Sequence, residues 1–551
     1  MRIVGNTHGL KASEHKRLQK LANRRIPAVR IVTPEFARTL TELSREIQRQ
    51  VGVLVDRRGH IKVVMVGDAR SVFIPDLSAY RRGMDRLAGL RLVHTHLHGE
   101  SLTDDDLTDL ALLRLDMVAA IEALEDGLPG AVHAGHLLPA NDDELPWSVA
   151  SYTTVHALTD DFLETIEALE AEFSRLRKPR RAGDTRDRAI LVHVSTSPPS
   201  VAEDSMAELR ELARSAGIDV VHEAIQRRPV DPRYVIGRGR LQTILIKAMQ
   251  LGAEVLVFDQ NLAPAQVNSL AAFTDLKILD RTQVILDIFA QRAVTREGKI
   301  QVELAQLRYL LPRLGAKQTA SAFSRLTGGI GGRGPGETKL EIDRRRAQDR
   351  IAALEREVKK LGERRRLRRS ARTQKSVPTV SIVGYTNAGK STLLNHLTNS
   401  QVVAENALFA TLNPVSRRLR FPEEREVIIT DTVGFIRHLP EELMAAFRTT
   451  LEELDDADVL VHVLDASSPH LEDENRTVEA ILTELGLDQK PRILVLNKTD
   501  MCDAEVLAGL RHQFDGVPLC ALNRSTFAPL IERIEKLLWA GIAPGLTAVE
   551  S

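Results

Sequence analysis

Cysteine is nearly absent from this chain. Two in 551 residues, Cys502 and Cys520, cannot build a disulfide framework. Long apolar runs are missing too: nothing nears the roughly 18 residues that a membrane span needs, and the N-terminus has no apolar signal core. A cytoplasmic protein is expected. Net charge is zero, with 75 basic residues against 75 acidic, so any affinity for nucleic acid must come from segregated charge. It is segregated. Residues 344–375 hold fourteen Lys or Arg against four acids, whereas residues 100–126 hold nine acids against one Arg. With 43% hydrophobic and 27% charged residues the chain can bury sizeable cores, and its length suggests about three or four domains.

What is present begins with Gly384-Tyr385-Thr386-Asn387-Ala388-Gly389-Lys390-Ser391. It follows the apolar run Val380–Val383 and opens an amphipathic stretch from Thr392 to Leu397. A buried strand, a glycine-rich loop and a helix start in this order match a phosphate-binding loop. Its glycines let backbone N–H groups face phosphate oxygens, Lys390 reaches the β and γ phosphates, and Ser391 offers an oxygen to Mg²⁺. Downstream, a β-branched run ends in Asp431-Thr432-Val433-Gly434. Here a water-mediated Mg²⁺ contact from Asp431 and a backbone donor to the γ-phosphate from Gly434 belong. A third buried strand ends in Asn497-Lys498-Thr499-Asp500. Asp500 can accept from both N1–H and the exocyclic amine of guanine, a pattern adenine lacks, while Asn497 and the Lys498 stem frame the base. The nucleotide implied is GTP.

Between these motifs, Phe409-Ala410-Thr411-Leu412-Asn413 reads as a switch loop in which Thr411 closes on Mg²⁺ and the γ-phosphate. Lys390, Thr411 and Gly434 are the expected catalytic set. The last strand leads into Cys520-Ala521-Leu522, where the Ala521 N–H is expected to meet guanine O6. The position before it is often Ser in this motif, and Cys520 puts the rigidity of the loop in doubt. Phe435 stands where many GTPases place a water-orienting Gln, so intrinsic hydrolysis should be slow. Asn387 matches a position that helps hold K⁺ in several GTPases with an apolar residue after Asp-x-x-Gly, which predicts faster turnover in K⁺ than in Na⁺.

Before residue 185, runs at 51–55 and 61–66 joined by a turn at Arg58-Gly59 read as a β-hairpin. Glu46 precedes the first run, His94-Thr95-His96 ends a later strand, and Ser101-Leu102-Thr103-Asp104 starts a helix. This pattern resembles the zinc site of JAMM-type metallopeptidases, in which two His and an Asp bind Zn²⁺ and a Glu serves as base. It departs from that pattern in the short spacing from His96 to Ser101 and in lacking a proline after the second His. A capped helix beside exposed histidines is the competing reading.

From 188 to 285, strands near 189–194, 218–222, 254–258 and 276–279 alternate with helices, implying a small parallel α/β unit. Gly237-Arg238-Gly239-Arg240 within it reads as a tight turn rather than a second phosphate site. Ile300, Leu304, Leu307, Leu311 and Leu314 step by four and three, as do Ala347, Ile351, Leu354, Val358 and Leu361. Two helices with such seams pair as an antiparallel coiled-coil hairpin. The glycine-rich joint at 328–336 and the basic second helix suggest an arm that meets RNA, folding on contact; a solvated helix face is the alternative.

Four stretches together resemble the HflX GTPases. They are Asp280-Arg-Thr-Gln-Val-Ile-Leu-Asp-Ile-Phe-Ala-Gln-Arg-Ala293, Gln301 to Tyr309, Gly334 to Arg346, and Asp431 to Arg437 with Leu439-Pro440. The likeness covers residues 188–540. It implies a GTPase that binds the large ribosomal subunit and its RNA, sends the helical arm towards the peptidyl-transferase centre, and splits or rescues stalled ribosomes. A GTP-switched assembly or RNA-maturation factor shares every motif, and a separate metallopeptidase-like activity of residues 1–185 is a third reading. The expected fold class is α/β: a P-loop GTPase domain at 377–540 with a tail at 541–551, preceded by the small parallel α/β domain at 188–285. The helical hairpin with its glycine loop lies at 286–375 and an N-terminal α+β domain at 1–185. A monomer is expected.

Overall fold

The computed structural model describes residues 2–75, 77, 87–139, 141, 145–177, 186–313, 339–372, 377–398, 409, 415–421, 425–432, 434–437, 444 and 454–539. From the N-terminus the elements are β1 (Arg2–Gly5), α1 (Ala12–Ala22), α2 (Pro34–Ile47), β2 (Val51–Asp56), β3 (Ile61–Val66), β4 (Leu90–His96), α3 (Asp104–Leu112), β5 (Met117–Ala123), β6 (Pro129–Leu137), β7 (Trp147–Tyr152) and α4 (Phe162–Arg177). Next come β8 (Arg188–Ser195), α5 (Pro199–Ser215), β9 (Asp219–Arg227), α6 (Arg238–Leu251), β10 (Val255–Phe258), α7 (Pro264–Phe273), β11 (Lys277–Asp280), α8 (Arg281–Arg292), α9 (Arg296–Leu310) and α10 (Lys339–Arg372). The remainder holds β12 (Thr379–Gly384), α11 (Lys390–Thr398), β13 (Val415–Arg420), β14 (Glu426–Asp431), β15 (Val459–Asp465), α12 (Leu471–Glu484), β16 (Arg492–Asn497), α13 (Ala504–Phe514), β17 (Val517–Pro518) and α14 (Ala528–Trp539). No helix among the described residues is long and apolar enough to cross a membrane.

The chain forms two compact units. One gathers residues 1–196, 219–256 and 272–277, the other residues 197–218, 257–271 and 278–551. In the first, a seven-stranded sheet has the order β1-β3-β2-β4-β5-β6-β7, with β1/β3 and β4/β5 parallel and the other pairs antiparallel. Its hairpin β2/β3 realises the predicted one. Thr33 caps α2 by accepting from the Phe36 N–H at 3.3 Å, Pro34 sits in the first turn, and Gln48 ends the helix in the left-handed region. Phe36, Ala37, Leu40 and Leu43 of α2 then bury their side chains with Val53, Val93 and Val118 of the sheet. Each such large side chain contributes about 1.5–3 kcal/mol. Arg91 is fully buried in β4, donating to the carbonyls of Ile31 and Asp56 at 3.2 and 3.1 Å with its guanidinium 4.4 Å from the Phe162 ring.

A second sheet has the order β11-β10-β8-β9, with β8 and β9 parallel. β9 outruns the predicted strand at 218–222 because β8 pairs with it as far as Ser195 and Arg227. Gly237 is the N-cap of α6 and its N–H donates to Gln226 Oε1 at 3.0 Å, consistent with a turn. In the second unit α9 and α10 pair along the predicted seams: Ile300, Leu304 and Leu307 pack with Ala347 and Leu354, flanked by Leu311, Ile351, Val358 and Leu361. Arg296–Glu357 at 2.5 Å and Arg350–Glu303 at 2.7 Å run antiparallel across the pair. Leu314 and the glycine loop at 328–336 lie outside the described residues.

The turn of the β2/β3 hairpin demands glycine. Gly59 has φ +86°, and a Cβ there would stand 1.7 Å from the Ile26 carbonyl oxygen, whose own residue accepts no space to retreat because the Ile26 N–H is tied to the Gly59 carbonyl at 3.0 Å. Gly59→Ala is expected to destabilise the first unit by on the order of 2 kcal/mol or more, seen as a lowered thermal midpoint of that unit.

Candidate functional site

Strand β12 lies inside a six-stranded sheet of order β13-β14-β12-β15-β16-β17, parallel except for β13/β14. The parallel strands therefore end on one edge, which brings Gly384, Asp431, Asp465 and Asn497 to the same side of the sheet. This is the edge at which open α/β sheets take ligands. The chain turns sharply there. Gly384 has φ +149° and a Cβ on it would meet the Val463 carbonyl oxygen at 2.3 Å; Gly389 has φ +91° and its Cβ would meet Asn497 Nδ2 at 2.3 Å. Asn387 is left-handed at φ +62°.

Lys390 starts α11, with Ser391 and Thr392 behind it in the first turn. Its side chain is only 6% exposed and its ammonium donates to the Tyr385 carbonyl at 2.6 Å. Burial pushes Lys390 down to about 8, with the Asp431 charge working the other way. Thr386 Oγ1 is buried without a hydrogen-bond partner. A buried cation, an unsatisfied hydroxyl and a glycine-lined turn at a helix N-terminus together fit a bound phosphate chain.

Ser391 Oγ donates to Asp431 Oδ2 at 2.6 Å, placing the two oxygens expected around Mg²⁺ side by side. The Thr432 hydroxyl donates to the Ile382 carbonyl at 2.7 Å, fixing the chain after β14 to β12. Gly434 has no room for a side chain: a Cβ would lie 2.8 Å from Thr386 Cγ2 and 2.9 Å from Lys390 Nζ. Phe435 zips its backbone onto the loop, accepting from the Thr386 N–H at 2.8 Å and donating to the Gly384 carbonyl at 3.2 Å, with its ring buried. Phe409 is buried against Phe289, ring centroids 4.6 Å apart. Ala410, Thr411, Leu412, Asn413 and Val433 lie outside the described residues.

On the base side, Asn497 is 1% exposed and spans two loops. Its Nδ2 donates to the Ala388 carbonyl at 2.8 Å, and its Oδ1 accepts from the Ala521 N–H at 2.9 Å. The Ala521 N–H expected for guanine O6 is thus directed at Asn497, whose buried carbonyl needs a donor. Lys498 is left-handed at φ +63° and its ammonium pairs with Asp465 at 2.6 Å. Thr499 and Asp500 follow in a 3₁₀ turn, with Asp500 exposed. The loop at Cys520 is braced despite the missing Ser: the Cys520 N–H donates to Thr526 Oγ1 at 3.1 Å and its carbonyl accepts from the Asn523 N–H at 2.8 Å. Leu522 projects outward.

One part of the site escaped the motif reading. The Tyr385 hydroxyl donates to Glu208 at 2.7 Å and accepts from the Arg437 N–H at 2.9 Å. Glu208 pairs with buried Arg281 at 3.0 Å; Arg281 also pairs with Asp259 at 2.8 Å, which accepts from Ser205 at 2.6 Å. A buried polar chain therefore joins α5 and α8 to the phosphate loop and to the segment after Gly434. Its only sequence signals were a tyrosine at a variable loop position and the arginine of Asp280-Arg281.

The predicted zinc set is brought together only in part. His94 and His96 adjoin each other, but the acid beside them is Asp106; Asp104 is exposed. Two residues on a helix differ by about 200°, so the faces of Asp104 and Asp106 are opposed. Glu46 pairs instead with Arg17.

A six-stranded sheet with a glycine-rich loop, a buried lysine, a Ser–Asp pair and an Asn–Lys–x–Asp base loop defines a P-loop GTPase. A family model described as "50S ribosome-binding GTPase" matches residues 379–498; "GTP-binding GTPase N-terminal" matches 203–290 and "GTP-binding GTPase Middle Region" 292–372. The GTPase HflX of Caldanaerobacter subterraneus subsp. tengcongensis is 44% identical over 355 residues, 64% of this chain and 81% of the relative. That of Lacrimispora saccharolytica is 48% identical over 325 residues, 59% and 76%, and that of Escherichia coli 43% over 321 residues, 58% and 75%. A solved GTP-binding protein of Sulfolobus solfataricus in complex with GDP is 25% identical, covering 64% of this chain and 99% of its own, with TM-score 0.36. The chain belongs to the HflX family of GTPases.

Phosphate raises the pKa of a lysine it contacts, so above about 8 Lys390 must take up a proton on binding nucleotide. GDP affinity is therefore expected to fall by up to roughly tenfold between about pH 8 and pH 9, with proton uptake visible by calorimetry in buffers of different ionisation heat. Lys390→Ala should bind more weakly and lose that slope.

Proposed function

We propose that this chain binds the large ribosomal subunit, hydrolyses GTP to GDP and phosphate there, and promotes dissociation or rescue of stalled ribosomes. The observation that carries this reading is the family membership, joined to a paired helical arm whose second helix, 339–372, overlaps the basic stretch, fourteen Lys or Arg against four acids over 344–375. Net charge is zero, so this stretch is the chain's concentrated means of meeting an RNA backbone. The family-model description "50S ribosome-binding GTPase" supports the choice of subunit.

In this reading Lys390 holds the β and γ phosphates, the Gly434 N–H and Thr411 close on the γ-phosphate, and Asp500 reads guanine. Ser391 and, through water, Asp431 would hold Mg²⁺, which supplies charge neutralisation at the phosphates. Phe435 cannot orient the attacking water, since its ring is buried, so turnover is slow until a partner completes the site. The tie from Tyr385 through Glu208 to Arg281 gives α5 and α8 a direct stake in the position of the phosphate loop.

The deciding experiment compares GTP turnover with and without purified large subunits for the wild type and a variant lacking residues 316–340. Strong stimulation of the wild type alone is expected; no stimulation of either would reject the ribosomal partner. Sucrose gradients of intact ribosomes with a non-hydrolysable GTP analogue then separate splitting from simple binding. We further propose that Asn387 helps hold K⁺ beside the phosphates. Turnover should be several-fold faster in K⁺ than in Na⁺, and Asn387→Gly, which keeps the left-handed backbone, should erase the difference. Equal rates in the two salts for the wild type count against it.

A further inference from the structure

The first unit holds a cluster unrelated to nucleotide. His94 and His96 leave β4 on one face of the sheet, 1% and 2% exposed, with their Nε2 atoms 2.9 Å apart. Asp106 meets both from α3: Oδ1 lies 3.1 Å from His94 Nε2 and Oδ2 lies 3.4 Å from His96 Nε2. Two ligand atoms on one tetrahedral zinc lie about 3.3 Å apart, so all three spacings are those of donors around a common small cation. Two imidazole lone pairs this close repel unless a proton or a metal lies between them.

His96 and Asp106 are supported as ligands are, while His94 Nδ1 is buried without a hydrogen-bond partner. His96 Nδ1 is 2.9 Å from the Glu100 carbonyl, which fixes Nδ1–H as donor and leaves Nε2 as the ring nitrogen that faces Asp106. Asp106 is oriented by a capping box: its Oδ2 accepts from the Thr103 N–H at 2.8 Å and from the Thr103 hydroxyl at 2.7 Å. Gly52 pairs with His94 across β2/β4, and even a Cβ there would approach His94 Cβ to 3.2 Å, so glycine leaves the ring its space.

Gln50 is a second, independent pointer. It is 2% exposed and its Nε2 is buried with no hydrogen-bond partner. The Val51 N–H donates to Thr95 Oγ1 and Gly52 pairs with His94, so Gln50, two residues before Gly52, falls on the sheet face that carries His94 and His96. A buried amide donor without an acceptor, on the sheet face that carries the two histidines, is suited to a ligand oxygen on a metal.

We propose that His94 Nε2, His96 Nε2 and Asp106 bind one divalent transition-metal ion, zinc by the nitrogen and oxygen donor set, with the fourth position open to water or an oxygen ligand. Three protein ligands with one open position distinguish a reactive or ligand-binding zinc from a closed structural one. Glu46 is turned to Arg17 and Gln50 cannot take a proton, so neither serves as a base for a metal-bound water.

The test uses the full chain, freed of metal and then dialysed against zinc or cobalt. The wild type should retain about one zinc per chain by elemental analysis, and its cobalt form should show the intense visible bands of a tetrahedral site. Asp104→Asn should behave as wild type, whereas Asp106→Asn and His94→Ala should lose at least about 100-fold in zinc affinity. Circular dichroism checks that each variant is folded. Absence of both zinc and the cobalt bands in folded wild type overturns the proposal, as does wild-type affinity in folded Asp106→Asn. If both variants unfold, the cobalt spectrum of the wild type decides.

Discussion

The carboxamide of Asn497 holds three remote segments in one place. It ends β16, donates to the phosphate loop at Ala388 and accepts from Ala521 beyond β17. Inside a buried environment each of these bonds is costly to leave unmade, so the arrangement is close to all or nothing. The site depends on it because the sheet alone aligns only strand ends, while loops must still be set against one another. A side chain with one donor and one acceptor at fixed geometry accomplishes this. Gly389 is required in turn, since a Cβ there would strike the same amide.

The same economy governs the phosphate side. Lys390 is withdrawn from water and donates to a backbone carbonyl, while Gly434 leaves it just enough room. Stability is not what this geometry favours, because burial of a cation lowers its pKa and costs free energy. It is preorganised for a ligand of opposite charge, which makes the loop informative about function before any nucleotide is considered.

The motifs of the site were legible in the sequence because each is short, and its residue types are dictated locally by φ, by charge or by the end of a strand. The paired seams of α9 and α10 were legible for a related reason, periodicity within a helix. Strands β5 to β7 are less legible, since Met117–Ala123 is apolar except for Glu122 and Trp147–Tyr152 sets Ser148 and Ser151 among apolar residues without a strict period of two, so neither shows a clear alternation. Asp106 was missed for Asp104 because three consecutive acids differ only in helical phase, which depends on where Thr103 places the cap. The Tyr385 chain was hidden more deeply. Glu208 lies 177 residues from its tyrosine, and nothing in an ordinary amphipathic helix distinguishes a glutamate that will be buried against an arginine.

That tyrosine also bears on how the protein can be taken apart. A fragment cut at residue 377 would keep the phosphate loop, yet its Tyr385 hydroxyl would lose Glu208 and the Arg437 carbonyl would lose Arg281. The piece left behind would carry Arg281 between two acids with one of its faces newly wet. Nucleotide-binding modules are commonly moved between proteins as self-contained cassettes. Here the seam of inheritance runs through the middle of a hydrogen-bond chain, so this GTPase and the helices before it are constrained to evolve as a single piece.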